Sequence, residues 1–294
     1  MIDRRRLLFA SAALGAALSA PNLAFAATEP QDATAPGAAL TALLDRMMQE
    51  FLAQSPEFMT SLGMDVGPNA AARSKLDDRS QSFVDQTFEA FRGYQRELAA
   101  IDRSTLMGMD AVNYDTTRFF LEGAALSDRF DYGSQSAVGG GSPYVVSQLT
   151  GSYMQLPQFL DTQHPIREAS DAEAYLERLS AFAGALDVET ERTRADYAKG
   201  ATPPDFILRR TGEQFAAMLN VPPETSDLTQ SLVRRTAEKG LAGDWQARAE
   251  AIVRDNVYPA LRRQAETISG ALANASSEAG CWRLPEGEAY YRYG

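Results

Sequence analysis

The sequence is poor in the residues that build disulfides and metal sites: it has one cysteine, Cys281, and one histidine, His164, in 294 residues. A single cysteine excludes an intrachain disulfide, so the fold must be stabilised by a packed core. Beside Trp282, Cys281 is expected to be a buried or half-buried small apolar side chain. Zinc sites take several protein ligands, mostly histidine and cysteine. The chain alone is therefore predicted to hold no metal and no other cofactor.

Motifs of nucleophilic catalysis are missing as well. Ser142 follows the run Gly139–Gly141 but precedes Pro143, which does not match the G-x-S-x-G turn of serine hydrolases. His164 is the only histidine available as a base, and its place in a turn before a helix predicts a structural or surface role. The triple glycine lacks the Gly-Lys-Ser/Thr of a phosphate-binding loop, so a hinge or close-approach loop is expected. No catalytic residue is predicted, and enzymatic activity is left open.

Basic residues are too few for a polyanionic partner. Acidic residues outnumber them 39 to 28, which gives a formal net charge of −11. The first 26 residues hold three arginines and one aspartate, so the chain after them carries −13. Nucleic acid and anionic membrane need a positive patch, and neither is expected as a partner. The acidic run of Asp187, Glu189 and Glu191 is predicted to be a solvated helix face rather than a metal or acid/base site.

The N-terminus has the layout of an export signal. Arg4 and Arg5 precede an Ala/Leu-rich apolar run, which ends in the small-x-small sequence Ala24-Phe25-Ala26. These features predict a twin-arginine-type signal peptide over residues 1–26, cleaved between Ala26 and Ala27. The Sec route is the alternative, because any basic N-terminus satisfies it. Residues 27–37 are predicted to be a flexible leader, and no later apolar run reaches ~18 residues. A periplasmic or secreted protein, free of the membrane after cleavage, is expected.

Helical periodicity dominates the first part of the remaining chain, residues 38–294. Apolar residues recur at i, i+3, i+4 and i+7 from Leu40 to Leu52, and a second helix spans Val84 to Leu98. Residues 61–80 are rich in Gly, Asp, Asn, Arg and Ser and predict a long connection. A third helix is predicted with Met109, Val112, Phe119 and Leu126 facing the core.

The second part of the chain is also predicted to be helical. Ser170 and Glu173 fit a capping box ahead of an apolar stripe that begins at Tyr175, in a helix that ends at Gly200. Shorter helices follow around residues 206–219 and 228–239. A long last helix is predicted from Asp244 to Leu272, kinked at Pro259 because proline lacks a backbone N–H. No alternation typical of strands persists, so the fold class is predicted to be all-α, a multi-helix array with long irregular loops.

Residues 131–165 combine several tyrosines with three glycines and little charge. Aromatic residues on such a loop commonly pack against the loop itself. Tyrosine also offers an apolar face and a polar tip, so Tyr144 and Tyr153 could instead line a groove for a peptide ligand.

Ordered motifs along almost the whole mature chain carry a family resemblance. They are SPYVVSQ at 142–148, LPQFL at 156–160, HPI at 164–166, DAEAYLERL at 171–179, TPPDF at 202–206, YPAL at 258–261 and LPEGEAYY at 284–291. In this order they resemble the N-terminal half of the bacterial domain-of-unknown-function 885 family.

The resemblance also implies properties that the residues of this chain do not indicate by themselves. Members are similar to helical zinc metallopeptidases of the gluzincin type, with chains roughly twice this length and a His-Glu metal-binding helix in the second half. The resemblance thus implies that the chain is an incomplete domain, that zinc is bound only in a full-length relative, and that a C-terminal half is the expected partner. The leading interpretation is an exported N-terminal portion of a metallopeptidase-like protein, inactive alone. The alternative is an independent periplasmic helical binding or scaffold protein.

Overall fold

The computed structural model describes residues 35–134 and 141–293. Regular structure in these ranges is helical, and β pairing is limited to two isolated bridges, Ser134 with Ser142 and Ser147 with Thr150. The prediction of an all-α fold is confirmed. The export motif Arg4 and Arg5, the cleavage site Ala26 and Ala27, and two glycines of the triple-glycine run lie outside the described residues.

The helices follow one another with few long breaks. In chain order they are α1 (Ala35–Gln54), α2 (Pro56–Ser61), α3 (Gln81–Ala99), α4 (Gly108–Ser127), α5 (Ser152–Thr162), α6 (Ala169–Ala198), α7 (Asp205–Leu219), α8 (Asp227–Glu238), α9 (Trp245–Ile252), α10 (Tyr258–Gly270) and α11 (Gly287–Tyr293). The predicted connection over residues 61–80 contains a 3₁₀ helix, Gly67–Ser74, which packs on α6.

Helices α1, α3 and α4 form an N-terminal three-helix unit with its own core. That core joins Leu40 and Leu43 of α1 to Leu98 of α3 and Leu121 of α4. The start of α3 is fixed by Ser80, whose hydroxyl accepts a hydrogen bond of 3.1 Å from the backbone N–H of Phe83. Such a cap satisfies one of the unpaired amides of the first turn.

Helix α6 is the centre of the main body: α5, α8, α9 and α10 pack on it, and α7 packs on α10. Its predicted apolar stripe is confirmed, because Tyr175, Leu179, Phe182 and Leu186 are all fully buried. The helix stops where expected: Gly200 adopts a left-handed φ of 92°, a conformation that ends helices and that glycine accepts without strain.

The long last helix, predicted from Asp244 to Leu272, is interrupted near Pro259, as expected. Helix α9 leads into a π-helical turn, Val253–Val257, and α10 begins at Tyr258 with Pro259 in its first turn. Val257 and Tyr258 both keep helical dihedral angles, so the helix continues through the π turn, whose extra residue accommodates the missing N–H of Pro259. The predicted interruption at Pro259 is confirmed.

The predicted capping box at the start of α6 is wrong. The helix begins at Ala169, and Ser170 lies inside its first turn with its hydroxyl 2.8 Å from Glu168. Glu173 instead pairs with Arg248 on α9. The carboxylate that reaches back to an amide is that of Asp171, which accepts a hydrogen bond of 2.8 Å from the N–H of Arg167. That amide precedes the helix, so Asp171 fixes the chain as it enters α6, and the N-cap residue Glu168 makes no capping hydrogen bond with its side chain.

The inward face predicted for α4 is also wrong. Met109, Val112, Phe119 and Leu126 are all exposed, whereas Tyr114, Leu121 and Ala124 are buried. Helix α4 carries two apolar stripes on opposite sides, and both satisfy the helical period. Periodicity alone could not show which of the two faces the core.

Residues 131–165 are not one loop, since Ser152–Thr162 forms α5 in spite of an internal proline, Pro157. Leu156 and Leu160 of α5 are completely buried in the main core. Their burial outweighs the weak helix propensity of the segment. The remaining loop is tied down at Gly133, which has a φ of 74°. The Cβ of any larger residue there would lie 2.4 Å from the carbonyl oxygen of Ser142, so the position has room only for glycine.

Candidate functional site

A groove lined mainly by apolar side chains lies between α1 and α3 and is here called the α1–α3 groove. It has a volume of about 580 Å³. Its walls are mainly large apolar side chains of the N-terminal unit: Leu44, Met47, Met48, Phe51, Phe83, Ala90, Phe91 and Phe120. Met48 and Phe51 were predicted to continue the apolar stripe of α1, and they form its exposed end, at the rim of the groove.

One end of the α1–α3 groove is polar. Glu50 lines it, and the hydroxyl of Tyr94 donates a hydrogen bond to the Glu50 carboxylate. Burial first, and then this hydrogen bond, raise the pKa of Tyr94 to about 12, so the phenol remains a donor at neutral pH. Arg46 lies 3.7 Å from Glu50 but is not among the lining residues, and it gives its hydrogen bond to Glu97. The groove therefore combines apolar walls with one solvent-accessible carboxylate, that of Glu50.

A second exposed apolar surface runs along the outside of α4, here called the outer α4 stripe. Its residues Met109, Val112, Thr116, Phe119, Gly123 and Leu126 follow the 3-4 spacing of a coiled-coil seam. Phe119 is 77% exposed and Met109 65%. A helix that is apolar on both sides is typical of one buried within a larger assembly.

The outer α4 stripe ends at a cleft beside the C-terminal helix. Leu126 lines this cleft together with Trp282 and residues of α11, and its volume is about 690 Å³. Arg129 crosses it to Glu286 at 3.1 Å. The Leu284 side chain beneath belongs to a small core with Phe130, Tyr132 and Tyr144, which fixes α11 against the rest of the molecule.

Below these surfaces, a buried polar cluster connects the 56–79 segment to α6. The Arg178 side chain is completely buried, and its guanidinium donates to the carbonyl oxygens of Lys75, Pro56 and Ala72, to the hydroxyl of Thr60, and to His164. It also lies 4.8 Å from the centre of the Phe159 ring. Burial lowers the pKa of Arg178 to about 10, still high enough to keep it charged at neutral pH.

His164 is part of this cluster, so its predicted structural role agrees with its environment. Its Nδ1 accepts a hydrogen bond of 2.9 Å from Arg178, and its Nε2 lies 2.8 Å from the carbonyl oxygen of Asp171. The first bond requires a neutral ring with the proton on Nε2. Burial, with a smaller contribution from Arg178, lowers the pKa of His164 to about 4.

Carboxylates surround the cluster and compensate its charge. Asp171 is fully buried and pairs with Arg73 at 2.6 Å, while Asp65 pairs with the same arginine at 3.1 Å. Hydrogen bonds and charges from Arg167 and Arg73 offset burial and lower the pKa of Asp171. All of these groups are paired with one another, so the cluster acts as a structural joint.

Glu189 corrects the expectation of a solvated acidic face. It is buried, and its carboxylate accepts hydrogen bonds from the backbone N–H and the hydroxyl of Ser152, at 2.8 and 2.7 Å. Ser152 opens α5, so Glu189 caps that helix from α6 and places a negative charge at its positive end. Glu191 is exposed, as predicted, whereas Asp187 is partly exposed and pairs with Arg263 at 2.7 Å.

The two tyrosines predicted to line a groove lie in the interior. Tyr153 stacks on Phe215 with ring centres 4.3 Å apart, and its hydroxyl lies 2.8 Å from the carbonyl oxygen of Ser147 and 2.7 Å from the side-chain oxygen of Gln214. Tyr144 accepts a hydrogen bond of 3.0 Å from Arg283. Cys281 is half-buried in the same small core as Tyr144, in the environment expected for it.

The donor set of this chain does not fit zinc. His164 has both ring nitrogens engaged, and Cys281 lies in a different core. Within residues 35–134 and 141–293, no three His, Cys, Asp or Glu side chains come together in a way that could hold a metal ion. In the same ranges, no helix combines the length and apolarity needed to cross a bilayer.

Comparison with known proteins shows the family to which this all-α chain belongs. The chain belongs to the family described as bacterial protein of unknown function (DUF885), whose model matches residues 56–294. Its fold is similar to that of a solved protein from Colwellia psychrerythraea named as a "putative lipoprotein", with 21% identity and a TM-score of 0.75. The match covers 87% of this chain and 45% of the other, so this chain spans about half the length of that relative. No curated protein matches the sequence significantly.

Sequence reasoning missed both the α1–α3 groove and the Arg178 cluster. Four of the five hydrogen-bond partners of Arg178 come from residues 56–75, more than 100 positions away, and nothing local distinguishes it from an exposed arginine. The groove left a weak signal, since the apolar stripe of α1 extends to Met48 and Phe51, beyond what its neighbours cover.

Proposed function

We propose that this chain is the exported, N-terminal helical portion of a zinc-metallopeptidase-like protein and is inactive without the rest of that protein. The observation that carries the proposal is the outer α4 stripe, a coiled-coil-like apolar face on a helix whose other side already forms a core. Uncovered surfaces of this kind normally bind another part of the protein. The C-terminal half expected from the family is the proposed cover.

The length of the solved relative supports this proposal, because more than half of that chain has no counterpart here. Zinc ligands would come from the C-terminal half, since the donor set of the described residues does not suit zinc. The chain's own part would be to supply one helical wall of the complete protein. Export is proposed from the N-terminal sequence, with Arg4, Arg5 and the Ala26–Ala27 junction as its signals.

The test uses the purified protein. Elemental analysis should find no stoichiometric zinc, and a peptidase assay should find no turnover. Light scattering should show concentration-dependent association, which Phe119→Glu should reduce by placing a charge on the outer α4 stripe. One tightly held zinc ion per chain with peptide hydrolysis would overturn the proposal.

A second function, an independent periplasmic binding protein, is favoured by the α1–α3 groove, which is open without any second half. The two proposals differ in solution behaviour. A protein that stays monomeric at all concentrations, with or without Phe119→Glu, would favour the binding protein.

A further inference from the structure

The α1–α3 groove is the feature of this molecule best suited to hold a ligand. We propose that it binds the N-terminal end of a peptide, with large apolar side chains against the groove walls and the α-ammonium group at Glu50. This site goes beyond the proposed function, since it needs neither zinc nor a second half of the protein.

The shape and lining of the groove fit such a ligand. Its volume of about 580 Å³ lies within the range of ~300–1,000 Å³ that is usual for small-ligand sites. Phe91 and Phe120 pack edge to face in its wall with ring centres 5.5 Å apart, which gives the site a firm aromatic side. Met47 and Met48 form part of the opposite side, and methionine adapts to differently shaped apolar partners.

The negative charge of Glu50 favours the N-terminal end of a peptide over its C-terminal end. Glu50 is the one ionisable carboxylate among the lining residues described, and its side chain is 46% exposed. A carboxylate accepts up to about four hydrogen bonds, and the Tyr94 hydroxyl supplies one of them. A peptide α-amino group is mostly protonated at neutral pH, and its N–H groups can donate to the acceptor positions that remain. Arg46 lies 3.7 Å from Glu50 but gives its hydrogen bond to Glu97, so Glu50 keeps acceptor positions toward the groove, and the net charge of −11 disfavours an anionic ligand.

The binding test compares two forms of one probe, a leucine-phenylalanine-glycine tripeptide amide with a free or an acetylated amino terminus. Calorimetric titration of the purified protein should show binding of the free form. Acetylation should weaken binding by about threefold, the effect of one partly exposed charge pair. Glu50→Gln should cause a similar loss, and the two changes together should cost no more than either alone, because both remove the same interaction.

Two matched substitutions locate the site. Met48→Lys places a positive charge at the groove rim and should abolish binding of both tripeptides, whereas Met109→Lys makes the same change on the outer α4 stripe and should leave binding unaltered. Thermal unfolding of both variants should match the parent, since both methionines are exposed.

Equal losses in the two variants would overturn the proposal, because they would indicate non-specific apolar adsorption. Additive effects of acetylation and Glu50→Gln would remove Glu50 as the ammonium site. A dimer that Met48→Lys dissociates would assign the groove to a second copy of the chain and also contradict the proposal. None of these outcomes depends on zinc or on peptidase activity, so they are distinct from a failure of the proposed function.

Discussion

The guanidinium of Arg178 donates a hydrogen bond of 2.9 Å to Nδ1 of His164, and both side chains are almost fully buried. A cation thus holds the imidazole in its neutral form. The pair lies where the 56–79 segment meets α6, so the protonation state of one ring is coupled to the attachment of that segment.

This coupling predicts a loss of stability in acid. The folded-state pKa of His164 is lowered from 6.5 to about 4. The neutral ring therefore contributes fully to the stability of the fold above pH 6.5, and this contribution is lost as the pH falls towards 4. The loss amounts to about 3 kcal/mol at most. Urea unfolding from pH 7 to pH 4 should show it, and a His164→Gln variant should lack this part of the pH dependence.

Asp77 provides a control, because its effect on the stability of the fold should depend on pH in the opposite direction. Burial and the nearby Glu57 raise its pKa from 3.8 to about 6, so its carboxylate destabilises the fold as the pH rises through that range. Asp77→Asn should therefore become more stable relative to the parent as the pH increases from 4 to 6. If both variants shifted the pH dependence in the same direction, the assignment of these two groups would be wrong.

Removing the Arg178 side chain should be far more damaging than removing a surface arginine from the same helix. Arg178→Met would leave the buried carbonyl oxygens of Lys75, Pro56 and Ala72 without this donor. We expect a loss of about 4 kcal/mol in the free energy of unfolding, typical of a broken buried network. Arg194→Met, which removes a half-exposed pair with Glu191, should change it by less than about 0.5 kcal/mol. Equal effects in denaturant titrations would contradict the role given to Arg178.

The start of α6 provides a further matched pair. Ser170→Ala should have an effect below about 0.5 kcal/mol, because Ser170 is exposed and is not the N-cap. Asp171→Ala should cost about 3 kcal/mol, because it removes a buried carboxylate that accepts from the Arg167 N–H and leaves Arg73 with one fewer partner. Equal unfolding midpoints for the two variants would show that the first turn is not organised as described.

These cases show what the sequence could and could not predict. Helix positions follow from local spacing, so α3, α6, α7 and α8 were predicted to within a few residues. The roles of Ser170 and Asp171 could not be predicted, since both residues suit the first turn and the burial of Asp171 against Arg73 depends on a contact between distant parts of the chain. Long-range pairing is likewise invisible in one sequence, and the burial of Arg178 and Glu189 depends on it. The open α1–α3 groove depends on which helices lie next to each other. The spacing of apolar residues along the sequence does not show this.

Helix α4 gives the last prediction, because its two apolar faces should respond in opposite ways to substitution. Leu121 is buried in the core of the N-terminal unit, and Leu121→Ala should cost about 3 kcal/mol through lost burial and the cavity left behind. Phe119 lies two residues earlier on the outer α4 stripe, and Phe119→Glu should change the free energy of unfolding of the monomer by less than about 0.5 kcal/mol. It should also lower association in light scattering. The opposite ranking in chemical unfolding would mean that the outer α4 stripe is the true core face, and the proposal of a covering partner would then have no basis.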